Sequence, residues 1–113
     1  MIRLVQTCFA CPEQYDAFDG NGKRVGYIRL RGGRFRVQCP DIGGEDVFEH
    51  IFAHDWYKGM FEDEQERKAF LGTACRRIEA WALQNVEDFE RDYYRIVPED
   101  SDEAKKLLLG EAA

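Results

Sequence analysis

A chain of 113 residues, 44 % hydrophobic and 34 % charged, has the make-up of one folded domain with room for a single modest core, which excludes a disordered or multi-domain protein. No apolar run is long enough to cross a bilayer, and the start Met-Ile-Arg-Leu-Val-Gln-Thr lacks a secretory leader pattern, so the cytoplasm is expected. The net charge of -6 hides an asymmetry: residues 1–40 hold seven Lys/Arg against three Asp/Glu, and residues 41–113 hold nine against nineteen.

Residues 2–9 are rich in strand formers, and Pro12 ends that run. Residues 14–19 form a second short strand candidate, closed by Asp19-Gly-Asn-Gly22, a strong hairpin signal. Strands are expected from Val25 to Arg31 and from Arg34 to Cys39, joined by Gly32-Gly33. Residues 45–58 fit either a helical stripe through Val47, Phe48, Ile51 and Phe52 or a last strand; the reading favours a strand near 46–52. The sheet thus covers about residues 2–52.

Asp63 and Glu66 have capping-box spacing, and Leu71, Cys75, Ile78, Ala82, Val86, Phe89, Tyr93 and Ile96 recur at steps of three and four. That pattern predicts one long amphipathic helix over 63–97, ended by Pro98. Ser101 is a candidate cap for a short final helix through Leu109, in a tail (98–113) that could equally fray. The expected fold is α+β: an antiparallel meander of four to five strands with the long C-terminal helix packed on one face.

A two-residue turn at Gly32-Gly33 pairs Arg31 with Arg34 and Arg29 with Arg36. Alternation then sorts Ile28, Leu30, Phe35 and Val37 to one face, and Tyr27, Arg29, Arg31, Arg34, Arg36 and Gln38 to the other. The apolar face needs the helix, so the arginine face is expected to be open. Opposed arginines are unfavourable across a ladder. The plain reading is a solvated face, partly neutralised by Asp16 and the acidic tail; the functional one is a docking surface for a phosphate backbone or an acidic protein groove.

Cys8-x-x-Cys11 and His50-x-x-x-His54 together make a low-ranking zinc set, because the 38-residue spacer is far from that of a zinc finger. Without export, Cys8, Cys11, Cys39 and Cys75 are expected to be reduced. No nucleophile, base and orienting acid assemble, and no phosphate loop precedes a helix, so a binding protein without catalysis or cofactor is expected. The aromatics Phe70, Trp81 and Tyr94 lie off the main helical stripe and need either a second core or a partner.

The runs Cys-Pro-Glu-Gln-Tyr-Asp-Ala-Phe-Asp-Gly-Asn-Gly (11–22), Gly26–Val37, Pro-Asp-Ile-Gly-Gly (40–44) and Met60–Leu71 resemble a group of small proteins of bacteriophages and other mobile elements, mostly of Gram-positive bacteria. The resemblance covers residues 11–80, implies no catalytic or ligand residues, and supports a strand at 46–52. The His50–Trp56 insertion and the tail after Val97 depart from the pattern and are where any special activity is expected. What the resemblance implies is an accessory protein in a bacterial host, most plausibly an anti-defence, anti-CRISPR-like inhibitor. Its partner would be a host effector protein or nucleoprotein. The row Glu87, Asp88, Glu90 and Asp92 would imitate phosphate backbone, and the arginine face would engage another surface or a guide RNA. A small nucleic-acid-binding or regulatory protein using the arginine face is the alternative, with a zinc-stabilised domain as a third reading and a homodimer left open.

Overall fold

A computed structural model of the chain describes residues 1–8, 13–83 and 94–110. In chain order the elements are β1 (Ile2–Gln6), β2 (Glu13–Phe18), β3 (Arg24–Arg31), β4 (Arg34–Cys39), β5 (Glu45–Ile51), α1 (Glu64–Leu83), β6 (Tyr94–Val97) and α2 (Asp102–Leu108). The class is α+β. Six strands make one mixed sheet in the order β5-β4-β3-β2-β1-β6, antiparallel from β5 to β1, with β6 parallel to β1. No helix among the described residues is long and apolar enough to cross a membrane.

Local chemistry explains the meandering half. Asp19 Oδ1 accepts from the N–H groups of Asn21 and Lys23 at 2.9 and 3.0 Å, which closes the β2–β3 turn. Gly32 and Gly33 both adopt positive φ, 60° and 74°, as a two-residue hairpin turn requires, and Arg31 pairs with Arg34 in the register that turn dictates.

The expected helix over 63–97 is corrected. α1 ends at Leu83, and Tyr94–Val97 is a strand. Ile96, assigned to the helical stripe, is exposed, while its neighbour Val97 is buried in the second core with Val5 and Phe18. The segment pairs with the edge of β1, where backbone donors and acceptors would otherwise stay open. Stripe positions Val86, Phe89 and Tyr93 lie outside the described residues.

α1 covers the apolar face. Asp63 Oδ1 accepts from the Glu66 N–H at 2.8 Å, the cap that its spacing predicts. Leu71, Ala74, Cys75 and Ile78 then enter the main core with Leu4, Tyr15, Ile28, Leu30, Phe35 and Val37. Phe35 is central, with the rings of Phe70, Phe61 and Phe48 at 5.2, 5.8 and 6.0 Å. Phe70, without a place on the expected stripe, belongs to this aromatic cluster. Ile78 lies so near β3 that a Cβ at Gly26 would fall 2.6 Å from its Cδ1.

One buried ion pair fixes α1 to the sheet. Glu13 accepts from Arg67 Nε at 2.8 Å and Nη2 at 3.1 Å, from the Tyr15 hydroxyl at 2.8 Å and from the Phe61 N–H at 2.6 Å. Burial alone would raise its pKa, but the bonds from Arg67, Phe61 and Tyr15, with the Arg67 charge, outweigh it and hold the carboxyl below its ordinary value.

α2 docks on the opposite face. Ser101 Oγ caps it by accepting from the Ala104 N–H at 3.1 Å, and Ala104 and Leu107 close a small second core with Val5, Phe18 and Val97. Glu103 accepts from Arg3 at 3.0 Å and from Arg95 at 2.6 Å, which lowers its pKa to about 2, through Arg95 first and Arg3 next. The 98–110 segment is therefore a built part of the fold, and the arginine-bearing face is covered at its β1–β6 end.

Gly26→Val should cost about 1–3 kcal/mol through overpacking against Ile78, read as a fall in urea midpoint at constant slope. Glu13→Gln should cost about 1–2 kcal/mol at neutral pH, because Arg67, part-exposed and still paired with Glu64, loses its buried carboxylate partner. A lowered native pKa stabilises above the ordinary carboxylate value of 4.5 and is lost as pH falls through the native value. The gap between wild type and variant should thus be constant above that pH and close below it in denaturation curves taken across acid pH.

Candidate functional site

The β3–β4 hairpin presents four arginines on the face away from α1. Arg29 sits opposite Arg36, and Arg31 opposite Arg34. Together they line a depression of about 180 Å³. A second, of about 300 Å³, shares Arg29 and Arg36 and is floored by Tyr27 and Gln38, with Ile42 and Gly43 at its border. Tyr27 is thus not the exposed contact residue that alternation alone implies. It is 5 % exposed and Gln38 8 %, because the arginine stems and the 41–44 turn close over them. The Gln38 Oε1 accepts from the Gly43 N–H at 3.1 Å and holds that turn in place.

The neutralising acid comes from a place the sequence reading did not assign. Asp16 pairs with Arg24 at 2.7 Å, not with the four arginines. β5 supplies the partners instead: Glu49 pairs with Arg34, and Asp46 with Arg36 at 3.2 Å. A register shift between Val37 and Gln38 lets Asp46 also accept from Gln38 Nε2 at 2.9 Å. That bond first, and then Arg36 and Arg34, lower the Asp46 pKa. Arg29 and Arg31 have no carboxylate in ion-pair range among the described residues, so two of the four positive charges stay open. Burial raises the Tyr27 phenol pKa, and the charges of Arg29 and Arg31 act against that rise. The Nε–H donors of Arg29 and Arg36 are buried and meet no acceptor among the described residues. Such groups cost stability and are rare in folded proteins.

The hairpin tip carries a second feature. Residues 52–59 cross over Gly32-Gly33: the Gly33 N–H donates to the Lys58 carbonyl at 2.9 Å, and the Phe52 N–H to the Gly33 carbonyl at 2.8 Å. Trp56 and Tyr57 of this loop are exposed and lie ring on ring, with centroids 3.6 Å apart. Ile51, opposite Arg34, is exposed as well. A Trp-Tyr dipeptide in a polar loop was the available signal for this pair.

The other sequence candidates do not assemble. Cys8 follows β1 and His50 lies on β5, four inter-strand steps away, or ~19 Å at about 4.8 Å per step. The zinc set therefore fails on sheet order, and His50 instead packs its ring on Phe52 and Phe70 at 4.6 and 5.1 Å. Cys11 and the acidic row Glu87, Asp88, Glu90 and Asp92 lie outside the described residues, and no metal-holding group of His, Cys, Asp or Glu occurs within them. Burial raises both the Cys39 thiol, to about 12, and the Cys75 thiol, so neither supplies a thiolate near neutrality. A further cavity, of about 440 Å³, lies at the other end of the sheet between the Asp19–Lys23 turn and Trp81. Its lining reaches Ala82, next to the residues outside the description, and it holds no arginine of the hairpin.

Comparison with known proteins finds no matching family model, no similar curated protein and no similar solved structure.

Relieving one opposed pair should stabilise the sheet. Arg29→Thr removes a like-charge contact and a buried unpaired donor and adds a strand former, so unfolding free energy should rise by about 0.5–1 kcal/mol in denaturant titration.

Proposed function

We propose that the protein works by binding, without catalysis, and that the β3–β4 arginine face docks a phosphate-rich partner: nucleic acid, either free or within a nucleoprotein. One observation carries the reading. Four arginines line one depression, while among the described residues two carboxylates, Glu49 and Asp46, meet them. Guanidinium groups suit phosphate because their planar fork donates two parallel hydrogen bonds to its oxygens. In the narrower form that the phage-type resemblance implies, the partner is a nucleic-acid-targeting effector of a bacterial host and the protein inhibits it. The arginine face would then engage the guide or target strand held by that effector.

A salt titration tests the reading. Four backbone contacts should give a log–log slope of about -3 to -4 in observed affinity against salt. Replacing Arg29, Arg31, Arg34 and Arg36 together by threonine, which suits a strand, should abolish both the slope and the binding. If the wild-type protein has no salt-dependent affinity for single- or double-stranded nucleic acid, the reading is wrong.

A further inference from the structure

Resting on the reading just given, we infer that the ligand of the arginine face is a single strand of nucleic acid whose bases stack on Trp56 and Tyr57. Two large aromatic residues exposed at 65 % and 74 % are costly to leave in water unless something covers them. Here they stack on each other, with an interplanar angle of 31°, and form one two-ring platform.

The platform is held in a fixed place. A Cβ at Gly33 would fall 2.5 Å from the Asp55 carbonyl oxygen and 2.7 Å from the Trp56 Cα, so the loop backbone rests directly on the hairpin tip. Its far end is tied down by the Glu13 N–H donating to the Gly59 carbonyl at 2.7 Å and by Lys58 pairing with Glu66 at 2.9 Å. A loop anchored on both sides loses little freedom when it binds.

Position relative to the arginines selects the ligand. Arg31 and Arg34 flank the turn on which Trp56 rests, and Arg29 and Arg36 stand two residues further along each strand, ~7 Å away. A chain of phosphates running down the hairpin would place its end beside the ring pair. A duplex has no use for that pair, since its bases already stack on one another. An unpaired strand offers free base faces, and stacking on aromatics with guanidinium contacts along the backbone is how single strands are held without sequence preference. Phosphates alone, as in polyphosphate, would leave the rings idle.

The test uses the full-length protein and a fluorescein-labelled oligo-dT of about 12 nucleotides, compared by anisotropy with a duplex and an abasic strand of equal length. The expected result is that oligo-dT binds about tenfold or more tighter than either comparator. Trp56→Ala and Tyr57→Ala should each cost about tenfold for oligo-dT, leave the abasic strand unaffected and keep the salt slope, whereas Arg31→Thr should reduce that slope by about 0.7. Both rings are exposed, so unchanged thermal unfolding of the two variants serves as the folding control. Equal affinity for all three probes, or oligo-dT binding indifferent to both ring substitutions, overturns this inference and leaves the arginine reading standing. Binding of no probe, or binding indifferent to the arginines, overturns both.

Discussion

The buried pair between Glu13 and Arg67 is the constraint on which the rest of the structure depends. It joins the start of β2 to the first turns of α1, and its second oxygen accepts from the Phe61 N–H in the connection between them. With α1 fixed on the apolar face, the arginine side of the hairpin faces away from it. The same carboxylate residue, through its N–H, holds Gly59 at the end of the loop that carries Trp56 and Tyr57. One residue thus ties the helix to the sheet through its side chain and the end of the aromatic loop through its backbone. Such a buried pair specifies an arrangement more than it adds stability, since desolvation offsets much of its attraction.

The parts of the fold that were legible in the sequence share one physical property: they were fixed by neighbours in the chain. The Gly32-Gly33 turn determines the pairing of the residues around it, and the sorting of Ile28, Leu30, Phe35 and Val37 from the arginines follows from a period of two. The Asp63 and Ser101 caps are local for the same reason. What was not legible depended on contacts between distant residues. Tyr94–Val97 fits a helical step of three as readily as an alternating strand, and only the free edge of β1 decides between them. Arg67 does pair with Glu64 in its own helix, but nothing local points to its second partner, Glu13, fifty-four residues away. The zinc set shows the converse case: residues of the right type, already at an unsuitable spacing, of which Cys8 and His50 are set apart by strand order.

The charge distribution follows from the same topology. β5 lies beside β4, so Glu49 and Asp46 reach Arg34 and Arg36 across the ladder, while β2 offers Gln14 opposite Arg29 and places Glu13 opposite Leu30, on the other face. Among the described residues, compensation therefore falls on the β5 side, and Arg29 and Arg31, toward the middle of the sheet, meet no carboxylate. A chain with a net charge of -6 repels polyanions at long range, so any attraction must act within a Debye length, about 8 Å at physiological ionic strength. A ligand of the kind proposed would therefore have to add short-range contacts to charge, and the exposed ring pair on the loop at the hairpin tip offers such contacts.

Cost and use are coupled in this hairpin. A sheet face serving solubility alone is better built from mixed charges and threonine, which avoid like-charge contacts and need no buried donor. Here two arginine pairs oppose each other, with the Nε–H of Arg29 and of Arg36 meeting no acceptor among the described residues, on a strand pair whose other face holds the centre of the main core. The core residues Leu30 and Phe35 fix the backbone so firmly that the guanidinium groups cannot separate by moving the strands. Repulsion is instead held in place by packing on the far side of the same two strands. Under the proposed reading, an anion docked on this face would relieve a repulsion already present in the free protein, and no ordering of the hairpin would be required to gain that energy.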